Sequence, residues 1–269
     1  MASAPQAQNL PLLYKDLVPL NVEQHGNYKL RIENKAPYIV GVHAVPLTID
    51  EFAACQRFMP IVFAAGDNPV PLALMGLNEG VNTLVGDDGV LHRDDGYVPA
   101  YVRRYPWMLA KLDQKSENMS LCFDPSAGLL GDFKKGDQLF EDGKPSEFTQ
   151  GVMKFCESFE EAGQRTQLFI DEIKKHDLLT DGEVGITQEG QEQPYVYRGF
   201  QMLNMDKFRE IRGDQLRTWN QNGMLGLIYA HAISLDLLRV IFARQTNQGK
   251  GPGAAAAAAS NGADKKAKK

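Results

Sequence analysis

The chain has 269 residues, 43% of them hydrophobic and 23% charged. Those are globular values, and they exclude a fibrous or wholly disordered protein. The formal net charge of -5 argues against general nucleic-acid binding. Residues 249–269 carry five Lys against one Asp, so the rest of the chain is more acidic than the total.

In chain order, residues 1–9 are small and polar and read as a disordered N-terminus, without the basic and apolar blocks of a secretory signal. A single α+β domain is expected over 10–248. Tyr28–Glu33 alternates with strand period, and Tyr38–Val42 is rich in β-formers. Thr48 and Glu51 have capping-box spacing and open a short helix to about Phe58, which Pro60 stops. Ile61–Ala65 and Pro71–Leu77 are strand candidates. Asn82–Val85 and Val90–Leu91 flank the turn cluster Gly86–Gly89, as a hairpin would. Met108–Leu112 and Ser120–Phe123 form a further pair. These short connections predict a largely antiparallel sheet.

A long helix then starts at Ser146, a suitable N-cap. Phe148, Val152, Phe155, Phe159, Ala162, Thr166, Phe169 and Ile173 step by three and four. They predict one continuous buried stripe. Glu183–Thr187 and Tyr195–Leu203 read as strands joined through the polar loop 188–193. Asp206 caps a short helix to about Arg212. After Asn222, an apolar helix runs to about Arg244. It contains His231, Asp236 and Arg239, which are costly in a membrane, so it reads as a buried core helix and no integral membrane segment is expected. The Gly, Ala and Lys composition of 249–269 predicts a disordered tail. The fold class is therefore α+β: a largely antiparallel sheet packed by a long central helix and a buried C-terminal helix.

The chemistry-bearing residues concentrate in Tyr97-Val98-Pro99-Ala100-Tyr101-Val102-Arg103-Arg104-Tyr105-Pro106-Trp107. Arg offers a planar fork for carboxylate or phosphate and stacks on aromatic faces. The two prolines stiffen the run into extended structure. Two readings stand open. Tyr97, Tyr101, Arg103, Arg104, Tyr105 and Trp107, with His92 just before them, could line a pocket for an anionic or aromatic ligand. Alternatively the rings fill core and the arginines pair with acids. In an extended run Arg103 shares its side with Tyr97, Tyr101 and Tyr105, which makes Arg103 the pocket residue.

His92 beside Asp94 and Asp95 has the makings of a base, and Asp124 is a second candidate acid. An enzyme using either, with Arg103 and Arg104 as an anion clamp, is the alternative to a binding protein. His231 reads as a satisfied core histidine. Cys55, Cys122 and Cys156 are odd in number and far apart, which predicts reduced, buried thiols and a cytoplasmic setting. The five His and three Cys show no ligand spacing, so neither metal nor cofactor is expected. Ser126 lacks the GxSxG order of a nucleophile elbow.

Met59-Pro60-Ile61-Val62-Phe63, the Tyr97–Trp107 segment, Leu121-Cys122-Phe123-Asp124, Leu139-Phe140 with Gly143, and Gly199-Phe200 occur in that order ahead of the apolar helix. Together they resemble the bacterial SapC family over roughly 10–245. That resemblance implies a role tied to surface-layer formation or export, and it supplies no catalytic residues. It points to a non-enzymatic binding or accessory protein whose partner is another protein or a small anionic ligand, with self-association as a further expectation.

Overall fold

The structure is a computed structural model and describes residues 10–31, 33–91, 96–112, 119–188 and 193–252. The segments 1–9 and 253–269, His92 and most of the 188–193 loop fall outside that set. In chain order the elements are β1 (Val18–Pro19), α1 (Val22–His25), β2 (Lys29–Leu30), a 3-10 turn at Pro37–Ile39 and β3 (Ala44–Pro46). A 3-10 turn at Ile49–Glu51 runs into α2 (Phe52–Cys55), followed by β4 (Ile61–Ala64), β5 (Pro71–Leu74), α3 (Ala100–Arg104), β6 (Trp107–Ala110) and β7 (Ser120–Phe123). After a 3-10 turn at Pro125–Ala127 come β8 (Leu130–Gly131), β9 (Asp137–Gln138), β10 (Phe140–Glu141), β11 (Lys144–Pro145) and α4 (Glu147–Lys175). The chain closes with β12 (Leu179–Ile186), β13 (Tyr195–Leu203), α5 (Met205–Arg209), α6 (Gly213–Gln221), α7 (Met224–Ser234) and α8 (Leu237–Asn247).

The architecture is α+β with antiparallel sheets. The main sheet has the order β12-β13-β4-β5-β3, and smaller sheets are β1-β7-β6, β8-β2-β9 and the β10-β11 hairpin. The hairpin turns at Asp142 and Gly143, both at positive φ, as a type I′ turn requires. Val62 and Phe63 alternate across β4. Phe63 stacks on Phe169 of α4, while Val62 clusters with Leu74, Phe200 and Leu238 of α8. The main sheet is therefore a middle layer, with α4 on one face and α8 on the other.

β13 and β4 pair only at Phe200–Ala64 and Gln201–Phe63. Two pairs further along this register Leu203 would face Ile61, and there the strands part to admit His231. Its Nε2 accepts from Leu203 N–H at 3.1 Å. Its Nδ1–H donates to the Ile61 carbonyl at 2.8 Å. The imidazole thus stands in for a ladder hydrogen bond, which fixes a neutral tautomer. Ser234 Oγ, one turn on, accepts from Ile61 N–H at 2.9 Å. No polar backbone group of Ile61 is left to bury unpaired, and His231 is the satisfied core histidine the sequence suggested.

Ser146 caps α4 by accepting from Thr149 N–H at 3.2 Å, and the Thr48–Glu51 capping box is formed. The α4 stripe differs from expectation in its first half. Ala162, Thr166, Phe169 and Ile173 are buried, but Phe148, Val152, Phe155 and Phe159 are only partly so. The main sheet covers only the second half of the helix. Thr166 is accommodated because its hydroxyl donates to Ala162 O at 2.7 Å and accepts from Ile49 N–H at 3.0 Å.

Other departures have local causes. Tyr38–Val42 does not form a strand, because Pro37 opens a 3-10 turn, its fixed φ being suited to a first helical position. The expected hairpin around Gly86–Gly89 reduces to a single bridge between Val85 and Leu91. Asn204, not Asp206, caps α5. The apolar C-terminal helix runs from α7 into α8 through Leu235 and Asp236, both with right-handed helical backbone angles, and only one of its faces is buried.

Candidate functional site

The Tyr/Arg segment is not extended. Pro99 stands at the N-cap of α3, and its carbonyl accepts from Val102 and Arg103 N–H, both at 3.0 Å. Proline is favourable ahead of a helical turn and damaging only inside one. Pro106 then lies past the end. The buried carboxylate of Glu51 anchors the turn. One oxygen accepts from Ala100 N–H at 2.6 Å and from the Tyr97 hydroxyl at 2.7 Å. The other closes the capping box with Thr48. A carboxylate at a helix N-terminus also complements the unsatisfied N–H groups there.

Helical spacing corrects the side assigned to each arginine. Neighbours are about 100° apart on a helix, not opposed as on a strand. Arg104 is the inward residue, 4% exposed. Its Nη1 donates to Glu160 at 2.9 Å, and its guanidinium lies 4.2 Å from the Phe159 centroid, with Tyr101 and Tyr14 beyond. Tyr101 donates to Leu12 O at 2.6 Å, and Tyr14 donates to Trp107 O at 2.6 Å. Arg104, Tyr101 and Trp107 therefore belong to the core. An anion clamp by both arginines is not available.

Arg103 faces outward into a groove. Its Nε donates to Val98 O at 3.0 Å and its Nη2 to the Tyr97 hydroxyl at 3.3 Å. The guanidinium sits between the rings of Phe155 and Tyr97, at 5.4 and 5.7 Å. Its Nη1 has no partner among the described residues. On one side lies a hollow of ≈ 400 Å³ lined by Tyr38, Tyr105, Phe148, Val152 and Phe155, with Arg31 and Lys35 at its rim. A second of ≈ 460 Å³ shares Lys35, Tyr38, Arg103 and Tyr105 and continues to Val98 and Gly96. Arg31 is paired with Glu33 at 3.3 Å. Lys35 and Arg103 have no ion-pair partner among the described residues, although the chain as a whole is acidic. Glu33 and Asp137 also line the groove, so its charge is mixed and its two free cations are local.

The groove's tyrosines are not bases. Burial, then the negative charge of Asp124, pushes the Tyr105 phenol up to about 12. Burial also raises Tyr38, and burial followed by the hydrogen bond to Glu51 raises Tyr97. Each remains a neutral phenol at ordinary pH, able to stack and to hydrogen-bond. Asp124 is fully buried, and its oxygens accept from Lys15 N–H at 2.7 Å, Ser126 N–H at 2.8 Å and the Tyr105 hydroxyl at 3.3 Å. That carboxylate organises the loop and is not presented to a substrate. Of the sequence candidates, the structure brings Arg103, Tyr97 and Tyr105 to the groove, with Trp107 beneath it. It removes Arg104 and Tyr101, and His92 lies outside the described residues.

Sequence reasoning missed Lys35, Tyr38 and the first half of α4. The signal available was the apolar stripe itself, which runs further than one sheet can cover. A separate hollow of ≈ 480 Å³ lies between α4 and α6–α7, lined by Leu168, Glu172 and Trp219 among others. Glu172 there accepts from Trp219 Nε1 and Gln215 Nε2, both at 3.1 Å, so its polar groups dock α6. Among the described residues no cluster of His, Cys, Asp and Glu could hold a metal ion.

No curated protein matches the chain, and no solved structure does. The SapC family model matches residues 20–241, from the first residue after β1 to the middle of α8, and so takes in Glu51, the whole Tyr/Arg segment, Asp124 and the groove face of α4. With most of its length matched, the chain belongs to the SapC family.

Proposed function

We propose that the protein is a binding or accessory protein, without chemistry of its own, that holds an anionic aromatic or apolar ligand in the groove beside Arg103. The observation that carries this reading is the Arg103 guanidinium. It is fixed between two rings, has an unused donor edge, and opens onto aromatic walls. Charge-assisted hydrogen bonds from Arg to an oxyanion are among the stronger polar contacts, and Phe148, Val152 and Phe155 supply apolar surface alongside. The surface-layer formation or export with which the family is associated offers a setting for such a step. There the ligand is a protein segment carrying acidic and aromatic side chains, or a small aromatic anion.

The test uses 8-anilinonaphthalene-1-sulfonate, an aromatic sulfonate whose fluorescence rises in apolar sites. The folded protein is expected to bind it saturably. Arg103→Ala should weaken binding about tenfold, the equivalent of about 1.4 kcal/mol, with no change in melting temperature. Equal binding by wild type and Arg103→Ala, or by wild type and Lys35→Ala together with Phe155→Ser, would overturn the reading.

A further inference from the structure

We infer that two copies of the chain pair weakly and antiparallel, about a two-fold axis, through the first turns of α4. Phe148, Gly151, Val152 and Phe155 stand at i, i+3, i+4 and i+7. Those are the four corners of the hole that one helix offers to a side chain of another. The hole exists as an open hollow of ≈ 480 Å³, walled by those four residues and Glu147. Phe148, Val152 and Phe155 are only partly buried, and Gly151 is exposed. A Cβ at Gly151 would meet nothing within 4 Å. The helix propensity that glycine gives up in mid-helix is therefore not recovered by packing within one chain. Contact with a second helix recovers it, because the missing side chain lets the two axes approach.

The charges beside the hole select its occupant. In heptad terms Phe148 and Phe155 are a positions, Gly151 and Ser158 are d, and Glu147 and Lys154 are both g. Glu147 and Lys154 are exposed, and neither has an ion-pair partner among the described residues. Turning a second copy antiparallel about a point between Gly151 and Val152 sets Phe148 opposite the partner's Phe155 and Val152 over the partner's Gly151. It also brings Glu147 beside the partner's Lys154, offset by about 3 Å along the axis at 1.5 Å per residue. The operation is its own inverse, so every contact occurs twice, as in an isologous interface. A parallel pair would set Glu147 against the partner's Val152 and Lys154 against the partner's Phe159, leaving all four charges unpaired. The groove beside Arg103 opens on the flank of Val152, about 140° round the helix from Glu147, so the pairing does not rest on a ligand there. Two turns of helix bury less than the roughly 800 Å² per partner of a stable complex, and the dimer is accordingly weak and concentration-dependent.

The experiment is sedimentation equilibrium of the full chain from the micromolar to the near-millimolar range. Wild type is expected to move from the mass of one chain toward that of two. Glu147→Lys and Lys154→Glu should each weaken association about tenfold or more, since each sets like charges together twice. Mixed in equal amounts, those two variants should recover the wild-type association, because every reversed charge then meets its opposite. Gly151→Gln fills the hole with a polar side chain and should also weaken association, while the melting temperature stays level or rises. Arg103→Ala should associate like wild type, which separates this face from the groove. A wild type that stays monomeric throughout overturns the inference. So do charge reversals that leave association unchanged, or a mixture of the two variants that associates no more than either alone.

Discussion

Arg103 and Arg104 are neighbours of the same chemistry, yet their loss should be felt in different measurements. Arg104→Ala removes a guanidinium that is 4% exposed and stacked 4.2 Å from Phe159. Removing one partner of a fully buried ion pair costs about 3–5 kcal/mol. Two features reduce that here. Glu160 is 42% exposed and can rehydrate when left alone, and the Arg104 Nε–H has no partner among the described residues. Lost cation–π contact, about 0.5–2 kcal/mol, and lost packing of the aliphatic stem act in the other direction. The net expectation is about 2–4 kcal/mol of destabilisation. For a chain of this size that lowers the melting temperature by about 5–12 °C. Arg103→Ala should stay within about 0.5 kcal/mol of wild type, since Arg103 bonds at an open surface. Arg104→Met, which keeps the stem and leaves Glu160 to solvent, should recover a substantial part of the loss. Thermal and urea unfolding followed by circular dichroism measure all three. An Arg104→Ala protein that melts within a degree or two of wild type, or an Arg103→Ala protein that is equally destabilised, would refute the assignment of inward and outward arginines.

Burial holds His231 down at about 4 against an ordinary 6.5. The folded protein therefore binds fewer protons than the unfolded chain between those values. The stability this histidine contributes is complete above about pH 6.5 and is lost as pH falls toward 4, by about 3 kcal/mol in all. His231→Gln, which keeps one donor and one acceptor, should show a flatter profile, and identical pH dependence in the two proteins would contradict the bridging role. Phe169→Ala should cost about 3–5 kcal/mol, whereas Phe155→Ala should cost about 1 kcal/mol; equal losses in urea unfolding would mean that the first half of α4 is covered. Gly182→Ala places a methyl group 2.1 Å from the Phe200 ring, and the displaced ring should destabilise the protein by about 1–3 kcal/mol. A neutral effect would show that the β12–β13 ribbon relaxes freely there.

Much of the framework could be read from local chemistry. The Thr48–Glu51 box, the Ser146 cap, the paired β6 and β7, and the α+β class all follow from short-range patterns. The errors arose where a residue's meaning depends on its neighbours in space. Pro99 by itself suits extended structure, yet it heads α3 because Glu51, distant in sequence, accepts from the first N–H of that turn. Arginine parity failed with it. The stripe on α4 was legible as apolar but not as divided, since the extent of the covering sheet is a tertiary fact. Lys35 and Tyr38 carry no motif, Glu51 is legible only as half of a capping box, and only the fold brings the three to the segment between Tyr97 and Trp107.

The groove is the centre of this account, and locating a bound probe tests it most directly. The measurement is nuclear magnetic resonance of the protein with 8-anilinonaphthalene-1-sulfonate, reading intermolecular contacts to assigned side chains. Contacts to Tyr38, Tyr105 and Phe155, with the sulfonate near Arg103, are the expected result. Contacts confined to Leu168 and Trp219, in the hollow between α4 and α6, would contradict it.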